Sequence, residues 1–297
     1  MSLQRGVGVL GASSLVGLRL LPLLADAGWQ VLAFSRQTVE SGSGVAWRRL
    51  SLAEHPSPQP SPQRSEGVTP YWICVAPIWV LPDYFSLIEA AGARRIVVLS
   101  STSRFTKVGS DNTAANAADN AIAAKLIEAE ERVQAWAASR GVEWVILRPT
   151  LIYGDGRDKN IAEIARLIRR FGFFPLLGKA QGLRQPVHAA DVAAACCAAL
   201  LSPGAVNHAY NLSGGETLAY RAMVERVFTA MHRRARFVTI PLGAFRLAIA
   251  CLRCLPRYRT WTTTMAERMN QDMVFDHSAA TRDLGFSPRG FQPSGVD

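Results

Sequence analysis

The stretch "VLGASSLVG" places Gly11 and Gly17 around Ser13, Ser14 and Leu15, after an apolar run of strand length and before a leucine-rich segment of helical spacing. A strand-to-helix turn with little side-chain bulk lets backbone N–H groups approach an anion. The partial positive charge of the helix N-terminus then favours a phosphate there. The next apolar run ends in "FSRQ", with Ser35 and Arg36 where the chain leaves the strand. A guanidinium in that place can hold a phosphate through paired hydrogen bonds. Further along, the helical stretch "ADNAIAAKLIEAEERVQAW" carries one lysine, Lys125, and "QPVHAADVA" brings His188 close to Asp191. A His–Asp pair suggests proton transfer, but Asp191 reads better as the capped start of a helix. Tyr84 and Tyr153 follow strand ends and offer phenols, and packing accounts for both.

The five cysteines, Cys74, Cys196, Cys197, Cys251 and Cys254, are odd in number and lie in apolar runs. Nothing ahead of the first strand reads as a signal peptide, so the expectation is reduced thiols in a cytoplasm. Cys251 and Cys254 form a CxxC inside "AFRLAIACLRCL" with no second pair, which reads as helix packing. His55, His208, His232 and His277 stand at no spacing with carboxylates or thiols that would hold a metal, and none is expected.

The elements that must position these groups alternate in period. "GVGVLGA", "QVLAFSR", "AWRRLSL", "YWICVAP", "RIVVLSS" and "EWVILRPT" are short apolar runs separated by helical segments. This predicts an α/β fold, a Rossmann-type doubly wound parallel sheet with helices on both faces. The stretch 54–70, rich in Pro, Ser and Gln, replaces a crossover helix and reads as a surface loop. Beyond residue 155 the pattern turns mostly helical. The expectation is a dinucleotide-binding domain over 1–155 and a smaller C-terminal substrate lobe over 156–297, with 185–202 packing back on the first.

The net charge of +10 is concentrated in that lobe: residues 157–297 hold 19 Lys and Arg against 10 Asp and Glu. An anionic small-molecule substrate suits such a lobe. Arg169–Arg170 and Arg233–Arg234–Arg236 are not interleaved with a nucleic-acid recognition motif, so no nucleic-acid partner is expected. The apolar, basic-flanked stretches "RFGFFPLLG" and "GAFRLAIACLRCLP" suit peripheral contact with a membrane, while their arginines preclude spanning one.

Several motifs occur in the order found in one superfamily. The glycine turn, "VVLSSTS", "AKLIEAE", "LRPTLIYG", "QPVHAADVA", "YNLSGGE" and "FDHSAATRDLGFSPR" together resemble the extended and atypical short-chain dehydrogenase/reductases, which include the nucleotide-sugar epimerases and dehydratases. The resemblance covers nearly the whole chain. It implies a nicotinamide dinucleotide held by Gly11, Ser13, Ser14, Leu15 and Gly17. Ser35, Arg36, Ala76, Pro77, Lys125, Pro149 and Thr150 complete that cofactor set. Ser14 replaces the family's middle glycine. An acidic residue at the end of the second strand would bind a ribose hydroxyl; Arg36 instead points to NADP(H) rather than NAD(H). The acidic residue expected after the third strand is also replaced, by Ser51.

By the same resemblance Ser101 orients substrate, and Lys125 binds the ribose and lowers the pKa of a tyrosine one turn earlier. That position is Ala121, which carries no proton. Another phenol could fill the gap, Lys125 could carry the proton, or the hydride acceptor could need little acid, as a conjugated alkene would. Alternatively, the chain holds the nucleotide as a redox sensor or structural subunit. A nucleotide-sugar substrate and a homodimer also follow from the resemblance, while a lipid-linked substrate would account for the apolar stretches "FGFFPLL" and "FRLAIACLRCL".

Overall fold

The computed structural model describes residues 5–36, 45–49, 69–105, 114–158, 160–241, 243 and 268–295. Ser51, His55, the loop 54–68 and the CxxC at 251–254 lie outside them.

Seven parallel strands form the central sheet. They are β1 (Gly6–Leu10), β2 (Gln30–Ser35), β3 (Val45–Arg49), β4 (Tyr71–Cys74), β5 (Arg95–Leu99), β6 (Glu143–Pro149) and, much later, β11 (His208–Leu212). Their order is β11-β6-β5-β4-β1-β2-β3. The order reverses between β1 and β4, whose registers put Leu10 beside Cys74. In open α/β sheets the crevice beyond the strand ends at such a reversal is where ligands sit. β5 is buried at every residue because helices cover both faces, and its sequence RIVVL is accordingly apolar after the arginine.

On one face α1 (Leu15–Asp26) buries Val16, Leu20, Leu21 and Leu24, one stripe at helical spacing. It packs against α5 (Ala189–Leu201), whose alanines allow close approach. On the other face lie a 3₁₀ turn (Ile78–Tyr84), α2 (Phe85–Ala90) and α3 (Ala114–Arg140). Phe85 stacks on Trp136 of α3 at 4.2 Å between ring centroids.

A second cluster forms the lobe. It joins α4 (Ile161–Phe171), α6 (Tyr220–Ala230) and the pair β8 (Phe174–Leu177) and β13 (Phe237–Ile240) around Ile168, Leu176, Val227 and Phe228. Short pairings link the two units: β7 (Ile152–Tyr153) with β10 (Val187–His188), and β9 (Leu183–Arg184) with β12 (Leu218–Ala219). The sheet unit takes more of the later chain than 185–202. β11 extends the sheet beside β6, and α7 (Ser278–Leu284) contributes Ala280 and Leu284 to the same core. The two units are thus interleaved in the sequence through these two elements. Both are short, and their partners are distant in sequence.

Candidate functional site

The turn between β1 and α1 sits at the sheet's reversal point. Gly11 has φ +79°, and a Cβ there would stand 2.5 Å from the backbone N of Ala76. A Cβ on Gly17 would meet the carbonyl O of Ala12 at 2.4 Å. Both glycines are therefore needed for the turn to lie against Ala76 and Pro77 at the end of β4. Ser14 caps α1: its Oγ accepts from the N–H of Gly17 at 3.1 Å. The hydroxyl is committed to the helix, a role that reading it as a replaced glycine does not reveal. Ser35 is buried, and its Oγ donates to Ser13 Oγ at 3.0 Å, tying the end of β2 to the turn. Arg36 follows on the surface, near enough to Tyr84 to offset part of the rise that burial gives that phenol's pKa.

This donor set fits a dinucleotide. No acceptor among the described residues takes the backbone N–H of Ser13, Leu15 or Val16, and these groups surround the N-terminus of a twelve-residue helix. That is the arrangement a pyrophosphate needs.

The other half of the site gathers at the ends of β5 and β6. Ser101 Oγ accepts from Ser103 N at 3.1 Å and so starts a 3₁₀ turn (Thr102–Phe105). Thr102 is buried and donates to the carbonyl of Pro149 at 3.3 Å. Thr150 is held from two sides: its N–H donates to Leu212 O of β11 at 3.0 Å, and its hydroxyl donates to Gln185 O. Below them lies a group that sequence reasoning missed. Glu130 of α3, its side chain 1% exposed, accepts from Ser100 Oγ, from Arg148 Nη2 at 2.6 Å and from Arg104. Arg104 and Arg148 each place a guanidinium 5.3 Å from the ring centroid of Phe105, which meets Phe275 at 6.0 Å. A glutamate inside the apolar stripe Leu126, Ala129, Val133 and Ala137 was the available signal. An ionised group in such a stripe needs buried partners.

Glu130 also fixes the register of α3 against the site. At 3.6 residues per turn, Lys125 points about 140° away from Glu130 around the helix axis, and Ala121 about 180° away. Both are exposed. Of the residues before Glu130, Leu126 and Ala123 are buried on its side of the helix, while Ile122 is 45% exposed. Neither Ala121 nor Ile122 carries a proton to give.

The remaining candidates are structural. Tyr153 is 1% exposed; its OH donates to Gly290 O at 3.3 Å and accepts from Gln292 N at 3.2 Å. His188, not Asp191, caps α5, with Nδ1 accepting from Ala190 N at 3.2 Å. Asp191 instead holds the C-terminal segment through the N–H and Nε of Arg289 at 3.0 and 2.8 Å. Burial pushes the Cys74 thiol up to about 12 and Cys197 to about 11, and raises Cys196 further. No group of three or more His, Cys, Asp or Glu among the described residues could hold a metal. A hollow of about 440 Å³ lies at the opposite end of the strands, where β4, β5 and β6 begin. There Arg95 is committed to Glu143 and to the last carbonyls of α5, so it serves the fold.

Residues 84–213 match the family model described as the NAD dependent epimerase/dehydratase family. The matched stretch runs from the 3₁₀ turn after β4 through β11, and it includes Ser101, Glu130, Pro149 and Thr150. An uncharacterized protein of Sinorhizobium fredii is 30% identical over 207 residues, 67% of this chain and 50% of that protein. The UDP-glucose 4-epimerase of Vibrio cholerae is 27% identical over 120 residues, 40% of this chain and 37% of that enzyme. The chain thus spans half or less of these curated relatives. Among solved structures, a UDP-glucuronic acid 4-epimerase from Bacillus cereus in complex with NAD superposes with a TM-score of 0.70 at 13% identity, covering 98% of this chain and 94% of that one. At that identity the likeness shows the fold.

Proposed function

We propose that this protein binds NADP(H) in the crevice between β1 and β4 and acts on an anionic substrate, phosphorylated or lipid-linked, without a tyrosine on α3 as the acid. One observation carries the reading: on α3 the exposed residue one turn before Lys125, where the resemblance expects a phenol, is Ala121. The N–H groups of Ser13, Leu15 and Val16 face the pyrophosphate, Arg36 the 2′-phosphate, and Ser101 with Pro149 and Thr150 the nicotinamide end. A bound nicotinamide supplies hydride transfer. The chain's own part is to orient and to exclude water. Such a site suits a hydride acceptor that needs little acid help, such as a conjugated alkene.

A second reading rests on the same observation: the protein holds the dinucleotide as a sensor or structural subunit and does not turn it over. Ala121 favours it over an ordinary epimerase mechanism, which needs a phenol in that place.

Fluorescence titration with NADPH and NADH tests the binding. NADPH is expected to bind more tightly, and Arg36→Ala to weaken it about tenfold or more through the lost charged hydrogen bonds. Lys125→Ala should weaken both nucleotides to a similar degree through a lost ribose contact, and an unchanged affinity removes Lys125 from the site. Tighter binding of NADH overturns the role of Arg36, and no binding of either nucleotide overturns both readings. Oxidation of bound NADPH by an added enone separates the enzyme from the sensor.

A further inference from the structure

The two arginine clusters of the C-terminal half, some sixty residues apart in the sequence, meet in the fold. Arg233 Nη1 donates to the carbonyl of Ile168 at 3.2 Å, capping the end of α4 where Arg169 and Arg170 lie. Phe174 N donates to Arg236 O at 2.9 Å, and β8 then pairs with β13 in parallel register from Phe174 with Phe237 onward. The result is one face bearing Arg169, Arg170, His232, Arg233, Arg234 and Arg236, all exposed. Phe171, 52% exposed, and Val238, 46% exposed, stand among them. Phe173 leans on Phe171 at 6.1 Å, and Arg170 covers the Phe171 ring at 5.2 Å.

The local sequence brings this face no carboxylate. The stretches 164–190 and 226–240 contain no Asp or Glu. The one carboxylate of α4, Glu163, is paired with Arg166, and that of α6, Glu225, with Arg221. A cationic face alone would suit any polyanion. The exposed Phe171 and Val238 narrow the choice, because apolar groups among arginines gain from an interface that is anionic outside and hydrocarbon beneath. Guanidinium stems can lie along that boundary while their heads reach the phosphates.

We propose that this face, from the end of α4 to β13, docks the protein peripherally on an anionic phospholipid surface. No helix among the described residues is long and apolar enough to cross a membrane, so the contact is superficial. The inference goes beyond the nucleotide reading and does not depend on it.

Co-sedimentation of the full chain with vesicles tests it, using phosphatidylcholine alone and phosphatidylcholine with about a third phosphatidylglycerol. Binding is expected on the anionic vesicles at about 0.1 M salt, with strong loss at about 0.5 M as the Debye length shortens. The triple variant Arg170→Gln, Arg234→Gln, Arg236→Gln should lower partitioning on the order of 100-fold, at roughly fivefold per lost charge. Arg233 is left in place because it caps α4. Phe171→Ser should weaken binding while leaving the salt dependence intact. Unchanged melting temperatures would show that both variants remain folded. The proposal is overturned by no binding to anionic vesicles, by equal binding to neutral ones, or by a triple variant that binds like the parent. It is also overturned if a DNA duplex competes fully and Phe171→Ser has no effect, since that outcome assigns the face to nucleic acid.

Discussion

Glu130 is the residue on which the second half of the site depends. Its carboxylate lies between two guanidiniums, Arg104 and Arg148, whose side chains are 21% and 14% exposed. Without it, two cations would face each other across a largely buried space. Glu130→Ala is therefore expected to cost about 3–5 kcal/mol, the range for breaking a buried pair. A chain of this size would then melt roughly 10 °C lower. Thermal unfolding measures this, and a drop of only a degree or two would mean that the arginines find other partners. Ser14 works on a smaller scale. Ser14→Ala should cost about 1 kcal/mol by removing the cap of α1, and Ser14→Gly only a few tenths. Denaturant titration separates the two.

At the scale of elements, α5 ties the sheet to the lobe, and His188 starts it. Burial, with Arg289 adding to it, holds the imidazole below its ordinary value of 6.5, while Asp191 and Asp155 oppose the shift. The neutral ring accepts the N–H of Ala190 through Nδ1, and protonation removes that acceptor. Because the folded value lies below the unfolded one, the contribution to stability is present above pH 6.5 and is lost as pH falls through the depressed value. The predicted loss of stability on acidification should flatten in His188→Asn, which keeps a neutral cap at every pH. Unfolding free energies measured on both proteins across that range check this, and equal slopes would remove His188 as the cause.

At the scale of the whole molecule, the C-terminal segment closes the fold by returning across both units. Phe291 is buried against Tyr153, Arg289 reaches Asp191, and Glu216 holds Arg226. The three described thiols lie in the sheet unit, with Cys74 and Cys196 fully buried. A disulfide reagent at pH 8 should therefore leave Cys74, Cys196 and Cys197 unmodified in the native protein and label them only on unfolding. Peptide mapping after brief labelling reads this out. Early labelling of Cys197 alone would show that α5 opens before the sheet does.

The local sequence by itself determined the parallel sheet, the glycine turn and the end of β2. Each depends on short-range pattern: apolar runs of strand length, a turn that admits no side chain, and an arginine a fixed distance beyond it. Ser101 follows β5, and Pro149 and Thr150 lie at the end of β6, as the apolar runs before them imply. The tertiary structure decided what depends on rotation and on distant partners. Each residue turns a helix by about 100°, and only packing shows that Ala123, Leu126 and Glu130 are the buried side of α3. Glu130 reads as one charge among several in "EAEER" until Arg104, Arg148 and Ser100 surround it. Asp191 resembles a cap until Arg289, nearly a hundred residues later, arrives to take both its oxygens. The arginines of α4 and β13 become one face only because β8 and β13 pair. Local pattern fixes an element's type, and packing fixes which way it is turned and what it meets.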